Sequence, residues 1–290
     1  MATRLDVRKT YKLYLGGKFP RSESGRSYEV VDPRGRFLAN AAMASRKDAR
    51  DAVGAARSAF SGWAGATAYN RGQVLYRVAE VMEGRAPQFA DEVARAEGLT
   101  PAKARGVVET AIDRWVWYAG WTDKLAQVAG SANPVAGPYF NLSVPEPTGV
   151  VAVLAPQASS LLGLVSVLAP VVVSGNTCVL LASQARPLPA VTLSEVLATS
   201  DLPGGVVNVL TGVTAEVAPW LAAHEEVDAL DLAGAGELDW AALEAAAAST
   251  LTRVLRPAEG GEPDWTLVPN GPRRALAFTE TKTVWHPKGR

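Results

Sequence analysis

Apolar residues return along this chain in two rhythms. In the first half they recur every three or four positions. Ala49, Ala52, Val53, Ala56, Phe60 and Trp63 make one such stripe, the spacing of one helical face. Ser45 and Asp48 stand before it as Ser-x-x-Asp, a capping box. Val74, Leu75, Val78, Ala79 and Met82 predict a second helix. A third is expected over 101–125, opened by Pro101 and burying Val108, Ala111, Trp115, Tyr118 and Ala119. Ahead of them, YKLYLGGKF and SYEVVDP are short and extended, punctuated by Gly16, Gly17 and Gly25, and predict hairpins or a strapped arm.

From GPYFNLSVPEPTGVVAVLAP onward the rhythm changes. That segment reads as two strands around a kink at prolines 145 and 147. Continuous apolar runs at 150–154, 177–181, 206–210, 229–232 and 251–255 then alternate with helical stretches at 161–173, 188–199, 215–223 and 238–248. Apolar strands without a polar face, separated by helices, predict a parallel sheet covered on both sides. The expected fold is α/β, a Rossmann-like doubly wound sheet with N-terminal helices and a projecting antiparallel ribbon. EGGEPDW and PNGPRR are loop-like, and ALAFTETKTVW predicts a last strand.

Composition narrows the classes of function. The 290 residues are 48% hydrophobic and 20% charged, a globular balance. Lys plus Arg equals Asp plus Glu at 29 each, so charge gives no reason to expect nucleic acid or an acidic membrane. The single cysteine, Cys178, sits inside the apolar run TCVLL and excludes an internal disulfide. Two histidines, His224 and His286, are too few for a metal site or a triad. His224 is expected to pack or cap at a helix end. MATRLDVRKTYKLYLGGK has no apolar run resembling a signal peptide, and 161–173 is too short for a bilayer. The expected location is cytoplasmic.

The ordered set of pieces resembles the aldehyde dehydrogenase superfamily over nearly the whole chain. YLGGKF, DAVGAARSAFSGW, RWVWYAGWTDK, PEPTGVVAVLAP, LAPVVVSGNTCVLL, DLPGGVVNVLTG and LAAHEEVDALDLAGAGE follow in family order. The terminal AFTETKTVW resembles the strand that closes the family's oligomerisation element. Members are usually much longer, because a domain carrying the catalytic cysteine lies before that strand. The resemblance therefore implies that the catalytic domain is missing here.

The family's site positions are also changed. Its Pro-Trp-Asn-Phe-Pro loop, whose Asn amide serves the oxyanion, matches Pro156-Gln157-Ala158-Ser159-Ser160. Ala158 has no donor, and losing one such donor costs about 100- to 1000-fold in rate. The ribose-holding Lys-Pro-Ser-Glu matches Leu181-Ala182-Ser183-Gln184. The pyrophosphate turn Phe-Thr-Gly-Ser-Thr matches Leu232-Ala233-Gly234-Ala235-Gly236, with Glu237 expected in the first helical turn. The stretch reads first as a tight strand-to-helix turn, in which Glu237 would repel a phosphate, and second as backbone amides able to face an anion. The general-base position falls on Pro257 or Ala258, with Glu259 off register, and no cysteine follows Cys178. No catalytic residue is expected. Cofactor contacts are expected to be vestigial, at Leu181, Ser183, Gln184, Gly234 and Gly236, with no resident cofactor and weak NAD(P) binding left open.

The expected layout is an N-terminal arm and helical part over 1–135, an oligomerisation hairpin over 136–149, the Rossmann-like sheet over 150–256, and a linker with the last strand over 257–290. Tyr139, Phe140, Asn141, Leu142, Ser143, Val144, Phe278, Thr279, Lys282, Thr283, Val284 and Trp285 are the expected oligomerisation residues. The expected partner is a full-length aldehyde dehydrogenase subunit. Two alternatives stay open: a residual NAD(P)-dependent oxidoreductase acting on aldehydes, and a small-molecule sensor using the old cleft.

Overall fold

The computed structural model describes residues 8–256 and 261–289. Its first part is a small sheet of β1 (Thr10–Tyr11), β2 (Ser27–Val31) and β3 (Phe37–Ala42). The arm after β1 is strapped to the main body. Tyr14 N donates to Val209 O at 3.0 Å, and Val209 N returns the bond at 2.7 Å. The helices α1 (Arg46–Gly65), α2 (Ala68–Gly84), α3 (Ala86–Glu97), α4 (Pro101–Ala119) and α5 (Leu125–Ala129) follow. The capping box at α1 is formed, with Ser45 N donating to Asp48 Oδ2 at 2.8 Å. The same carboxylate accepts from Ser22 Oγ at 2.7 Å, so it also fastens the preceding loop.

Helix α4 stops at Ala119, short of the expected 125. The Gly120 amide folds back onto Val116 O at 3.1 Å, and Thr122 Oγ donates to Ala119 O at 3.0 Å. This turn packs against Gly72 of α2, where a Cβ would lie 2.7 Å from the Thr122 hydroxyl. Apolar spacing alone does not register such a close approach.

Next come β4 (Ser131–Asn133), β5 (Tyr139–Pro147), β6 (Val150–Leu154), α6 (Leu162–Val173), β7 (Thr177–Leu181), α7 (Leu188–Leu197) and β8 (Val207–Leu210). The chain continues through α8 (Thr214–Ala222), β9 (Ala229–Asp231), α9 (Trp240–Ala248), β10 (Arg253–Leu255), α10 (Arg273–Leu276) and β11 (Thr279–Pro287). The central sheet is parallel throughout, in the order β10-β9-β6-β7-β8. Val150, Ala152, Leu154, Val179 and Leu181 face α1 and α8. Val151, Val153, Cys178 and Leu180 face α2, α4 and α6. Every residue of α6 is buried, which explains why that helix carries no polar stripe. Each fully buried Leu or Val contributes roughly 1.5–3 kcal/mol, so the doubly covered sheet is the main source of stability.

The ribbon is a second sheet, ordered β11-β5-β4. β5 runs unbroken through prolines 145 and 147, so the expected kink lies later, at Thr148 and Gly149. Gly149 has φ +143°, and a Cβ there would lie 1.9 Å from the Asp228 carboxylate. β11 pairs antiparallel with β5 from Thr279 opposite Pro147 to Pro287 opposite Tyr139. Phe140, Leu142, Val144 and Val284 are exposed on this ribbon, as are Thr283, Lys282, Tyr139 and Trp285. Asn141 is buried under Asn133, and Ser143 bonds Thr283 at 2.8 Å. Phe278 departs from expectation: its ring is fully buried in the main core, one residue before β11, so it anchors the ribbon instead of facing a partner. Among the described residues no helix is long and apolar enough to cross a membrane.

Candidate functional site

After β8 the chain returns to the far side of β6 to add β9 and β10, so the sheet's switch point lies between β6 and β9. Doubly wound sheets bind ligands in the crevice beyond the strand ends at this point. The loop leaving β6 there is Ala155 to Ser160. Its own side chains carry no charge, yet the fold brings charges to it. The amides of Gln157 and Ala158 both donate to Glu262 Oε1, the second at 2.9 Å. Ser160 N and Oγ both donate to Glu97 Oε1 at 2.7 Å. Arg186 donates to Ala158 O. Glu97, Arg186 and Glu262 were invisible to sequence reasoning, since each lies far along the chain from this loop.

The second group of predicted contacts turns inward. Leu181 is fully buried. Ser183 Oγ donates to Gln157 O at 3.0 Å, and Gln184 N donates to Gln157 Oε1 at 3.0 Å. Gln184 Oε1 accepts from Thr214 N at 3.1 Å. These polar side chains hold the loop's shape.

The glycine turn after β9 is a tight strand-to-helix turn. The Ala233 amide is bonded to Asp231 Oδ1, Gly234 N to Leu154 O and Ala235 N to Leu232 O, so these three donors are used internally. A Cβ at Gly234 would lie 1.8 Å from Ala155 O, which makes glycine a packing requirement between β6 and β9. Gly236 has φ +56° and turns the chain. Glu237 stands outside α9, whose N-cap is Asp239, bonded to Ala242 N at 3.0 Å.

Beneath the crevice, Asp231 is fully buried and ion-paired with Arg274. Burial raises its carboxyl above the ordinary aspartate value while Arg274 opposes the shift. Burial also pushes the neighbouring Tyr118 hydroxyl up to about 12. Cys178 is fully buried, and burial raises its thiol well above the usual value, the profile of an inert packing residue. His224 Nδ1 accepts from Glu226 N at 3.1 Å just after α8, a local turn contact and not the helix cap or packing expected. No metal-ligating cluster occurs among the described residues. Pro257, Ala258 and Glu259 lie outside the described residues.

Two of the concavities flank α8. The larger, about 750 Å³ between α1 and α8, is lined by Arg46, Trp220 and His224, away from the strand ends. The smaller, about 140 Å³, lies between α8 and the start of α9, lined by Pro219, Leu238, Ala242, Leu243 and Ala246, with Asp239 at its edge. An apolar cavity of about 150 Å³ admits benzene, so this slot has the scale of one planar ring.

The aldehyde dehydrogenase family matches residues 19–264. The chain belongs to that family. It is 32% identical to retinal dehydrogenase 2 of Gallus gallus over 269 residues, which are 90% of this chain and 50% of that protein. The NAD-dependent aldehyde dehydrogenase of Sinorhizobium meliloti superposes with a TM-score of 0.78 at 27% identity, covering 85% of this chain and 49% of that one. An aldehyde dehydrogenase of Bacillus cereus solved as an NAD+ complex gives 0.78 at 26% identity, covering 85% and 50%. The chain spans about half the length of each of these three relatives. The α/β fold and the family resemblance are thus established. The expectation of no cofactor is overturned, because structures sharing this fold are NAD+ complexes.

Proposed function

We propose that this chain is an aldehyde dehydrogenase-family subunit without catalysis of its own, which joins a full-length family member through its ribbon and keeps a nucleotide pocket. The observation that carries this reading is the ribbon. β11 has β5 on one side and, among the described residues, no strand on the other. Alternate residues of this nine-residue strand therefore turn unpaired backbone groups to a free edge, an association surface unless covered. Leu142, Val144 and Val284 add exposed apolar contact. Strand addition to a partner's sheet satisfies both the edge and the apolar strip.

Absence of self-contained chemistry is supported by the site side chains. Ala158 offers no oxyanion donor, and the sole thiol is sealed in β7. The link from β10 to β11 is short, so the segment that carries the family's nucleophile has no room between them.

The NAD+ held by the Bacillus cereus relative extends to this chain through the slot between α8 and α9. Pro219, Leu238, Ala242 and Leu243 fit a planar base. When bound, NAD(P) would supply a hydride acceptor. This chain's own residues enclose its base.

Co-expression with a full-length aldehyde dehydrogenase from the same host tests the assembly, with native mass as the readout. The wild-type chain is expected in a mixed oligomer, and Leu142→Glu with Val284→Lys is expected to release it. A chain that remains monomeric beside every full-length partner of its host refutes the reading. Melting with NAD+ tests the pocket: about 2.7 kcal/mol of stabilisation is expected at a hundredfold excess over Kd.

A further inference from the structure

The β6–α6 loop turns two of its amides to one carboxylate oxygen. Three of its carbonyl oxygens are tied back: Ala155 O by Gln157 Nε2 at 2.8 Å, Gln157 O by Ser183 Oγ at 3.0 Å, and Ala158 O by Arg186. Two successive amides, Gln157 and Ala158, are left pointing outward at the switch point of the sheet. Successive backbone N–H groups aimed at one point form a concavity that prefers negative charge. The structure shows a carboxylate already seated there. Glu262 Oε1 accepts from both amides, although 104 residues separate Glu262 from Ala158.

The chain that follows Glu262 is held to the body. Three residues later Trp265 packs against the same region: a Cβ on Gly163 would lie 2.9 Å from its Nε1. The buried Arg114 guanidinium then clamps the segment, donating to Trp265 O at 2.8 Å and Leu267 O at 2.9 Å while its other arm bonds Ser166 Oγ at 2.7 Å. Arg274 adds the pair with buried Asp231 and lies 5.9 Å from the Trp265 ring. A tethered carboxylate held this close acts at high effective concentration.

We propose that this amide pair is a phosphate-ester anion site closed in cis by Glu262, so that the phosphates of a bound nucleotide must displace that side chain. This rests on the reading that the crevice admits a nucleotide, and it adds a regulator to that site. The apparent affinity for such an anion is reduced by the fraction of chains in which Glu262 is seated. The carboxylate also repels a second negative charge directly. Any event that withdraws the segment after Glu262, such as docking of a partner against Trp265 and Leu267, opens the site.

The test measures binding of inorganic pyrophosphate and of NAD+ by calorimetry to the whole chain, as wild type, Glu262→Ala, Glu262→Gln and Glu225→Ala. Glu262 is exposed, so its loss leaves the core intact. Glu262→Ala is expected to bind pyrophosphate at least about tenfold more tightly than wild type, with Glu262→Gln intermediate. Glu225→Ala makes the same change in net charge beyond α8 and is expected to alter neither affinity. Amide exchange at Gln157 and Ala158 is expected to be slow in wild type and faster in Glu262→Ala. Equal affinities, no pyrophosphate binding to Glu262→Ala, or an equal gain in Glu225→Ala each overturn the proposal. A gain for pyrophosphate with none for NAD+ upholds the closed anion site and refutes the nucleotide pocket instead.

Discussion

Replacing Arg274 by Met probes how the chain covers the face of its own sheet. Arg274 stands on α10 and reaches a carboxylate on β9 that is wholly shielded from water. Without it, Asp231 keeps only the Ala233 amide, at 3.0 Å. The folded chain then has two choices. Holding the charge buried and unpaired costs about 3–5 kcal/mol. Taking up a proton at pH 7, about three pH units above the ordinary aspartate value, costs about 4 kcal/mol. The expected loss is about 3–4 kcal/mol, which for a chain of this size lowers Tm by about 6–8 °C.

The pH dependence has a definite sign. Burial already holds the Asp231 carboxyl above its ordinary value, so the folded chain binds that proton more tightly than the unfolded one. Stability from this group therefore falls as pH rises from the ordinary value through the folded one. Losing Arg274 widens that window. At pH 5 protonation costs about 1.5 kcal/mol, so the deficit of Arg274→Met should shrink by more than half. Asp231→Leu with Arg274→Met should recover most of the loss at pH 7, since an apolar pair removes the buried charge altogether. Thermal melts followed by circular dichroism at pH 7 and pH 5 read both effects. A variant that melts within about 1 °C of wild type at pH 7, or whose deficit persists at pH 5, refutes the reasoning.

Three further outcomes follow from single contacts. Gly234→Ala places a methyl 1.8 Å from a backbone carbonyl that cannot move without parting β6 from β9; a loss of about 3 kcal/mol is expected in urea titrations, and a loss under about 1 kcal/mol contradicts that packing. Cys178 should resist a thiol reagent such as dithionitrobenzoate in the native chain and react stoichiometrically in denaturant, because burial raises its thiol and blocks access; rapid native labelling is the contrary result. Ser45→Ala removes the cap of α1 and should cost about 1 kcal/mol in the same titrations.

What the sequence determined by itself was the architecture. Runs such as VVAVL and TCVLL have no polar alternation, so they belong inside a sheet covered on both faces, and helices between them force parallel order. The capping box at Ser45 and the burial of Cys178 follow from neighbours a few residues away. Pairing of the terminal strand with β5 was legible because both segments match family pieces in order. Local spacing failed where one side chain meets another from a distant stretch. The end of α4 depends on Gly72 admitting Thr122, and Phe278 turns inward to join the main core.

Only the tertiary structure decided the chemistry of the β6–α6 loop. PQASS reads as empty of charge, and along the chain it is. Folding supplies Glu97, Arg186 and Glu262 from three other segments, and returns the loop's amides as an occupied anion receptor. Backbone N–H groups leave no trace in residue type, and a carboxylate's target is set by where the chain crosses itself. Composition and periodicity report what each residue prefers to contact. They carry no information on which distant residue it meets.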